Sequence, residues 1–147
     1  MQFHTIVVVC QGNICRSPLA EQLLHARLPS RALSSAGLGA LVGQDTDPTV
    51  REVAAARGIA LAPHSARQLD GAICAGADLL LVMTEQQRVQ IQQQWPQASG
   101  KVMLLGQWTD KQDIPDPYRR DRETHEAVFE RIERACEAWA ARLVNQG

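Results

Sequence analysis

The chain has no apolar run approaching the roughly 20 residues that cross a bilayer. Its longest apolar stretches lie in "HTIVVVC" and "LLLVM". The N-terminus "MQFHTIVVVC" lacks the basic region of a secretory signal, so a soluble cytoplasmic protein with no direct membrane insertion is expected. Charge of one sign is also missing. Fifteen Lys and Arg against 16 Asp and Glu leave a formal charge of −1, with no basic excess to attract nucleic acid and no polybasic run for a lipid surface. The four cysteines, Cys10, Cys15, Cys74 and Cys136, form no Cys-x2-Cys pair and have no nearby histidine partners, which argues against zinc. A disulfide framework suits a smaller secreted chain. Internal repeats, low-complexity segments and linkers are absent, and 147 residues suit one domain over 1–147.

What is present is an alternation of strand and helix. Residues 4–9 (HTIVVV) read as a buried parallel strand. Leu19, Leu23, Leu24 and Leu28 then follow at helical spacing, with Ser17 as the expected cap and Pro18 in the first helical position. Residues 32–36 (ALSSA) are a weak strand. Asp47 and Pro48 open a second helix that Gly58 closes. Residues 63–77 read as loop and short helix, and 79–83 (LLLVM) as a strong buried strand. Thr84 and Gln87 form a capping box for a helix stopping near Trp95 and Pro96. Residues 101–105 (KVMLL) are a fourth strand, 106–120 a long loop, and 121–143 a last helix with an apolar stripe through Val128, Phe129, Ile132, Cys136 and Trp139. Cys74, Cys136, Trp95 and Trp139 read as core; Trp108 is open. This order implies an α/β fold, a four-stranded parallel sheet covered on both faces. In the strand order 2-1-3-4, the end of strand 1 lies at a topological switch point, where such sheets bind ligands.

The segment "CQGNICRSP" sits at that point. A strand, a tight loop (Gln11, Gly12, Asn13, Ile14, Cys15) and a helix start present backbone N–H groups and positive potential to an anion. Arg16 adds a planar fork for two phosphate oxygens. The field that attracts phosphate also favours thiolate, so Cys10 is expected to ionise readily and to stand in line with phosphorus as a nucleophile. No Gly-Lys-Ser/Thr follows Gly12, which argues against ATP or GTP and leaves phosphate chemistry with no metal and no cofactor. Cleaving a phosphoester also needs a proton for the departing oxygen. Asp116 in "IPDPYRR" can supply it, stiffened by Pro115 and Pro117. Read alone, Asp116 fits an ordinary turn equally well, and Asp110 and Asp113 compete with it. Tyr118, the one tyrosine, can stack on an aryl ring, pack on the surface or be phosphorylated itself.

"VCQGNICRSPLAEQLL", together with "SSAGLGALVGQDTDPTV", "HSARQL" and "GQWTDKQDIPDPYRRDRET", resembles the low-molecular-weight protein tyrosine phosphatases, whose signature is Cys-x5-Arg-Ser/Thr. It resembles in particular their bacterial branch associated with capsule and exopolysaccharide export. The likeness covers nearly the whole chain. It implies a flavodoxin-like low-molecular-weight phosphatase fold and hydrolysis of phosphotyrosine through a phosphocysteine. Cys10 would be the nucleophile, Arg16 the phosphate binder and Asp116 the general acid and then base. It also implies a supporting network of Asn13, Ser17, Ser35 and His64, and cleft walls from Leu41 and Tyr118. Cys15 would protect oxidised Cys10 as a reversible disulfide. The partner would be a phosphotyrosine protein, a tyrosine autokinase of the inner membrane. From the residues alone, Asn13 as turn former, Ser17 as helix cap, His64 as a loop histidine and Cys15 as packing stay open. Two other functions stay open as well. One is an arsenate reductase of the same fold, which would need a further cysteine relay. The other is an inactive phosphate binder or thiol sensor, which would dispense with the acid.

Overall fold

The computed structural model describes residues 3–144. Four parallel strands, β1 (Thr5–Cys10), β2 (Ala32–Gly37), β3 (Leu79–Val82) and β4 (Val102–Leu104), lie in the order β2-β1-β3-β4. Val8 at the centre pairs with Ser35 on one side and Leu81 on the other. Among the described residues, five α-helices surround the sheet: α1 (Arg16–Arg27), α2 (Pro48–Ala56), α3 (Gly71–Gly76), α4 (Glu85–Gln94) and α5 (Arg122–Leu143). The expected class and strand order are therefore observed.

The alternation of β1 explains why helices cover both faces. Side chains along a strand point to opposite sides with a period of two. Ile6, Val8 and Cys10 join one core with residues of α1, α2 and α5, whereas Val7 and Val9 join a second core with residues of α3 and α4. Both sides are apolar, so neither can face water. Cys74 is buried in the second core and Cys136 in the first, on opposite sides of the sheet. Trp139 is buried and donates its indole N–H to the Leu104 carbonyl at 3.2 Å. Trp95 is half-buried against the second core, and Trp108 is exposed.

The local signals set most helix ends. Asp47 accepts from the Thr49 amide with Pro48 as the first helical residue, and Gly58 follows α2 at φ 78°, where a side chain would be strained. Thr84 and Gln87 form the reciprocal capping box of α4. The exception is α1, which begins at Arg16, one residue before its expected cap. Cys15 holds the cap position with no side-chain hydrogen bond, and Ser17 lies inside the first turn with its hydroxyl turned elsewhere. A helix start without a cap leaves its first amides for something outside the helix.

Asp121 opens α5, where the acid-bearing loop ends. Its carboxylate accepts from both the hydroxyl and the amide of Thr124 at 2.6 and 2.8 Å, and these bonds hold its pKa below the ordinary aspartate value. A carboxylate depressed by folding stabilises above its unfolded pKa and loses that contribution as pH falls through its folded value. Asp121→Ala is expected to lower Tm at neutral pH, with the deficit closing as pH drops below the ordinary aspartate range. Thermal melts of both proteins along a pH series check this.

Candidate active site

The loop between β1 and α1 is built with its carbonyls turned outward. The Cys10 oxygen accepts from the Leu38 amide at 3.0 Å, Gln11 from Gly39 at 2.9 Å, Gly12 from Leu41 at 3.0 Å and Ile14 from Asp47 at 2.8 Å. The Asn13 carbonyl accepts from His64 Nε2 at 2.6 Å. A carbonyl can only accept, so that nitrogen carries the imidazole proton. In a trans peptide the N–H points opposite to the preceding C=O. The amides of residues 11 to 15 therefore point into the loop, and among the described residues none donates to a protein acceptor. With the uncapped start of α1, they make a concave ring of donors suited to an anion.

Asn13 holds this shape. Its φ is 59°, in the left-handed region that Asn tolerates better than most residues. The side chain is fully buried and fully used. Nδ2 donates to Ser17 Oγ at 2.8 Å and Ser35 Oγ at 3.0 Å, and Oδ1 accepts from the Arg67 amide at 2.9 Å. Ser35 in turn donates to Glu21 at 2.6 Å. Ser17 Oγ already accepts from Asn13, so its own proton is available to Cys10 Sγ, 2.8 Å away. The four residues expected to support the loop are thus brought together. Ser17 serves through the Cys10 sulfur, and its expected role as a helix cap is replaced by that contact.

Cys10 is buried at the end of β1, on the floor of a cleft that Arg16, Leu41, Asp116 and Tyr118 also line. The buried Arg16 guanidinium donates from Nη1 to the Ile114 carbonyl at 2.8 Å, and Nη2 lies 3.6 Å from Asp116 Oδ2. Its Nε is also buried and has no hydrogen-bond partner among the described residues. A buried unpaired N–H is costly unless something accepts from it. Asp116, about half exposed, accepts from the Tyr118 amide through Oδ1 at 3.0 Å. The competing carboxylates are engaged elsewhere. Asp113 accepts from the Glu85 amide at 2.9 Å, and Asp110 pairs with Arg131 at 3.4 Å. Tyr118 and Leu41 both line the cleft, and the Arg119 guanidinium lies 5.2 Å over the Tyr118 ring. Cys15 borders the same cleft, and burial, with the charges of Asp47 and Asp116, pushes its thiol pKa far up. Among the described residues no cluster of His, Cys, Asp or Glu could hold a metal ion.

Residues 5–147 match the family model described as low molecular weight phosphotyrosine protein phosphatase. The chain belongs to that family. Low molecular weight protein-tyrosine-phosphatase Wzb of Escherichia coli K12 is 47% identical over 141 residues, covering 96% of each chain. The crystal structure of the tyrosine phosphatase Wzb from Escherichia coli K30 in complex with sulphate superposes with a TM-score of 0.94 at 43% identity, covering 97% of this chain and 99% of that one. Vibrio vulnificus Wzb in complex with benzylphosphonate superposes at 0.92 with 41% identity, covering 96% and 99%. In this family member, sequence reasoning missed the outer layer of the site. Arg67 and Glu21 complete the Asn13 network, and Asp45 accepts from the His64 amide at 3.1 Å. Nothing in their spacing marks them.

Gly37 was missed too, although a glycine ending a strand beside a functional loop is a readable signal. A Cβ there would stand 2.6 Å from the Gln11 carbonyl and 3.1 Å from the Asn13 amide. Gly37→Ala is expected to cost about 1–3 kcal/mol of stability through overpacking against backbone. It should also displace the loop carbonyl and weaken anion binding. Urea melts and a phosphate titration of the same protein check both.

Proposed function

We propose that the protein hydrolyses phosphotyrosine in proteins through a phosphocysteine intermediate. The observation that carries this reading is the facing pair across one cleft: Cys10 on a floor ringed by inward amides, and Asp116 held beside Arg16 at the mouth. Phosphate oxygens would be gripped by the amides of residues 11 to 15 and the open edge of Arg16. The Cys10 thiolate attacks phosphorus, the bond to the tyrosine oxygen breaks, and Asp116 in its acid form gives that oxygen its proton. A water molecule then attacks the phosphocysteine while the Asp116 carboxylate takes up its proton. The P–S bond breaks and Cys10 leaves as thiolate, receiving a hydrogen bond from the Ser17 hydroxyl.

Tyr118 and Leu41 would clasp the aryl ring between them. Benzylphosphonate, which the Vibrio vulnificus relative binds, joins a phenyl ring and a phosphorus oxyanion through one carbon, and so supports an aryl phosphate here. The resemblance in the sequence supports a tyrosine autokinase of polysaccharide export as the phosphoprotein, reached from the cytoplasm. Among the described residues no helix is long and apolar enough to cross a membrane. A disulfide relay of the arsenate reductase kind is disfavoured by the placing of the other thiols. Cys74 is packed on the far face of the sheet, and Cys136 is buried with its thiol pKa pushed up by desolvation. An inactive phosphate binder is disfavoured by Asp116, which a site of that kind has no reason to aim at Arg16.

Aryl phosphate turnover by the fully reduced protein, without added metal, tests the reading. Wild type should turn over and Cys10→Ser should not. Asp116→Asn should lose roughly 10²–10⁴-fold in kcat, with less loss on substrates whose leaving group needs no proton. An inactive wild type would sink the proposal. Equal activity in Asp116→Asn on poor leaving groups would remove Asp116 from it.

A further inference from the structure

The two walls of the cleft differ in charge. One wall comes from the segment after β2, where Leu41 is 36% exposed and its neighbour Val42 is 68% exposed, with Gly39 and Ala40 before them. It carries no charge. The other wall is the acid loop, where Tyr118 is followed by Arg119, Arg120, Asp121 and Arg122. The cations of this run are not equivalent. Arg122 lies 3.9 Å from Glu52, and Arg120 sits next to Asp121 in the chain. Arg119 has no carboxylate and no hydrogen-bond acceptor among the described residues; its contact is the face of the Tyr118 ring. Its backbone sits at φ 62° in the turn that the Arg120 amide closes on the Pro117 carbonyl, and its guanidinium lies over the ring of Tyr118, itself part of the cleft wall.

We infer that Arg119 is a specificity-determining residue, and that the protein prefers phosphotyrosines flanked by acidic side chains. This deepens the reading of the cleft as a phosphotyrosine site and rests on it. The guanidinium rests on Tyr118, which would hold the aryl ring, so side chains next to a bound phosphotyrosine would come within its field. Stacking on Tyr118 restricts the side chain in advance, so less freedom is lost when a carboxylate pairs with it. The uncharged Leu41–Val42 wall adds no second cation, so the attraction acts on one side of the peptide. The chain as a whole is slightly acidic, so a preference for acidic flanks would come from this local charge and not from bulk attraction.

The test is a binding titration of the full-length protein. The probes are three peptides carrying a non-hydrolysable phosphonate analogue of phosphotyrosine, with acidic, neutral or basic neighbours. An exposed ion pair is worth little, so wild type should bind the acidic peptide about three- to fivefold more tightly than the neutral one at low salt, with the gap narrowing as salt is raised. Arg119→Asn, which tolerates the left-handed backbone, should erase the ratio, and Arg119→Lys should keep most of it. Equal binding of the acidic and neutral peptides by wild type overturns the inference. So does a ratio unchanged in Arg119→Asn, including the case where all three peptides weaken together, because Arg119 would then serve only to hold Tyr118. Aryl phosphate turnover measured alongside separates the two readings. No turnover with the acidic preference intact removes the phosphatase and leaves the recognition. Turnover without the preference removes the recognition alone.

Discussion

The site depends on one left-handed residue. Asn13 reverses the chain in the middle of the loop, and its buried amide then ties together α1 through Ser17, β2 through Ser35 and the segment before α3 through the Arg67 amide. A buried polar network with every member satisfied is stiff, and stiffness is what an anion site needs, because donors fixed in advance spend no energy on reorganising. The loop's carbonyls are held from outside by Leu38, Gly39, Leu41, His64 and Asp47. The strain of one backbone conformation is thus spread over contacts from both edges of the loop.

Arg16 links this cradle to the second loop. The same guanidinium that lines the cleft donates to the Ile114 carbonyl and approaches Asp116, so two loops about 100 residues apart in sequence meet on one buried side chain. An arginine suits this double duty. Its five N–H groups lie in one plane, so it can anchor a loop with one and leave others for a ligand. Asp113, the carboxylate nearest Asp116 in sequence, is used to hold the start of α4. Proximity along the chain did not decide which acid faces the site.

Some of this was legible in the residues. The β-branched run of β1, the Asp47–Pro48 and Thr84–Gln87 signals and the apolar stripe of α5 each carry a local physical preference, and each element appears where that preference places it. The start of α1 departs from its local signal for a physical reason. Ser-Pro is a good helix-opening signal only if the serine is free to cap, and Ser17 is engaged with Cys10 and Asn13. The roles of Gly37, Arg67, Glu21 and Asp45 leave no periodic trace, because each acts through a single contact made across the fold.

The sequence by itself determined the elements, their order, and the concentration of a thiol, a glycine and an arginine at the end of the first strand. These follow from side-chain periodicity and backbone preference, which act over a few residues. Only the tertiary structure decided which carboxylate meets Arg16, which side of the sheet each cysteine occupies, and which arginine of the acid loop stacks on Tyr118. Those outcomes depend on through-space distances of a few ångströms, and chain spacing does not encode them.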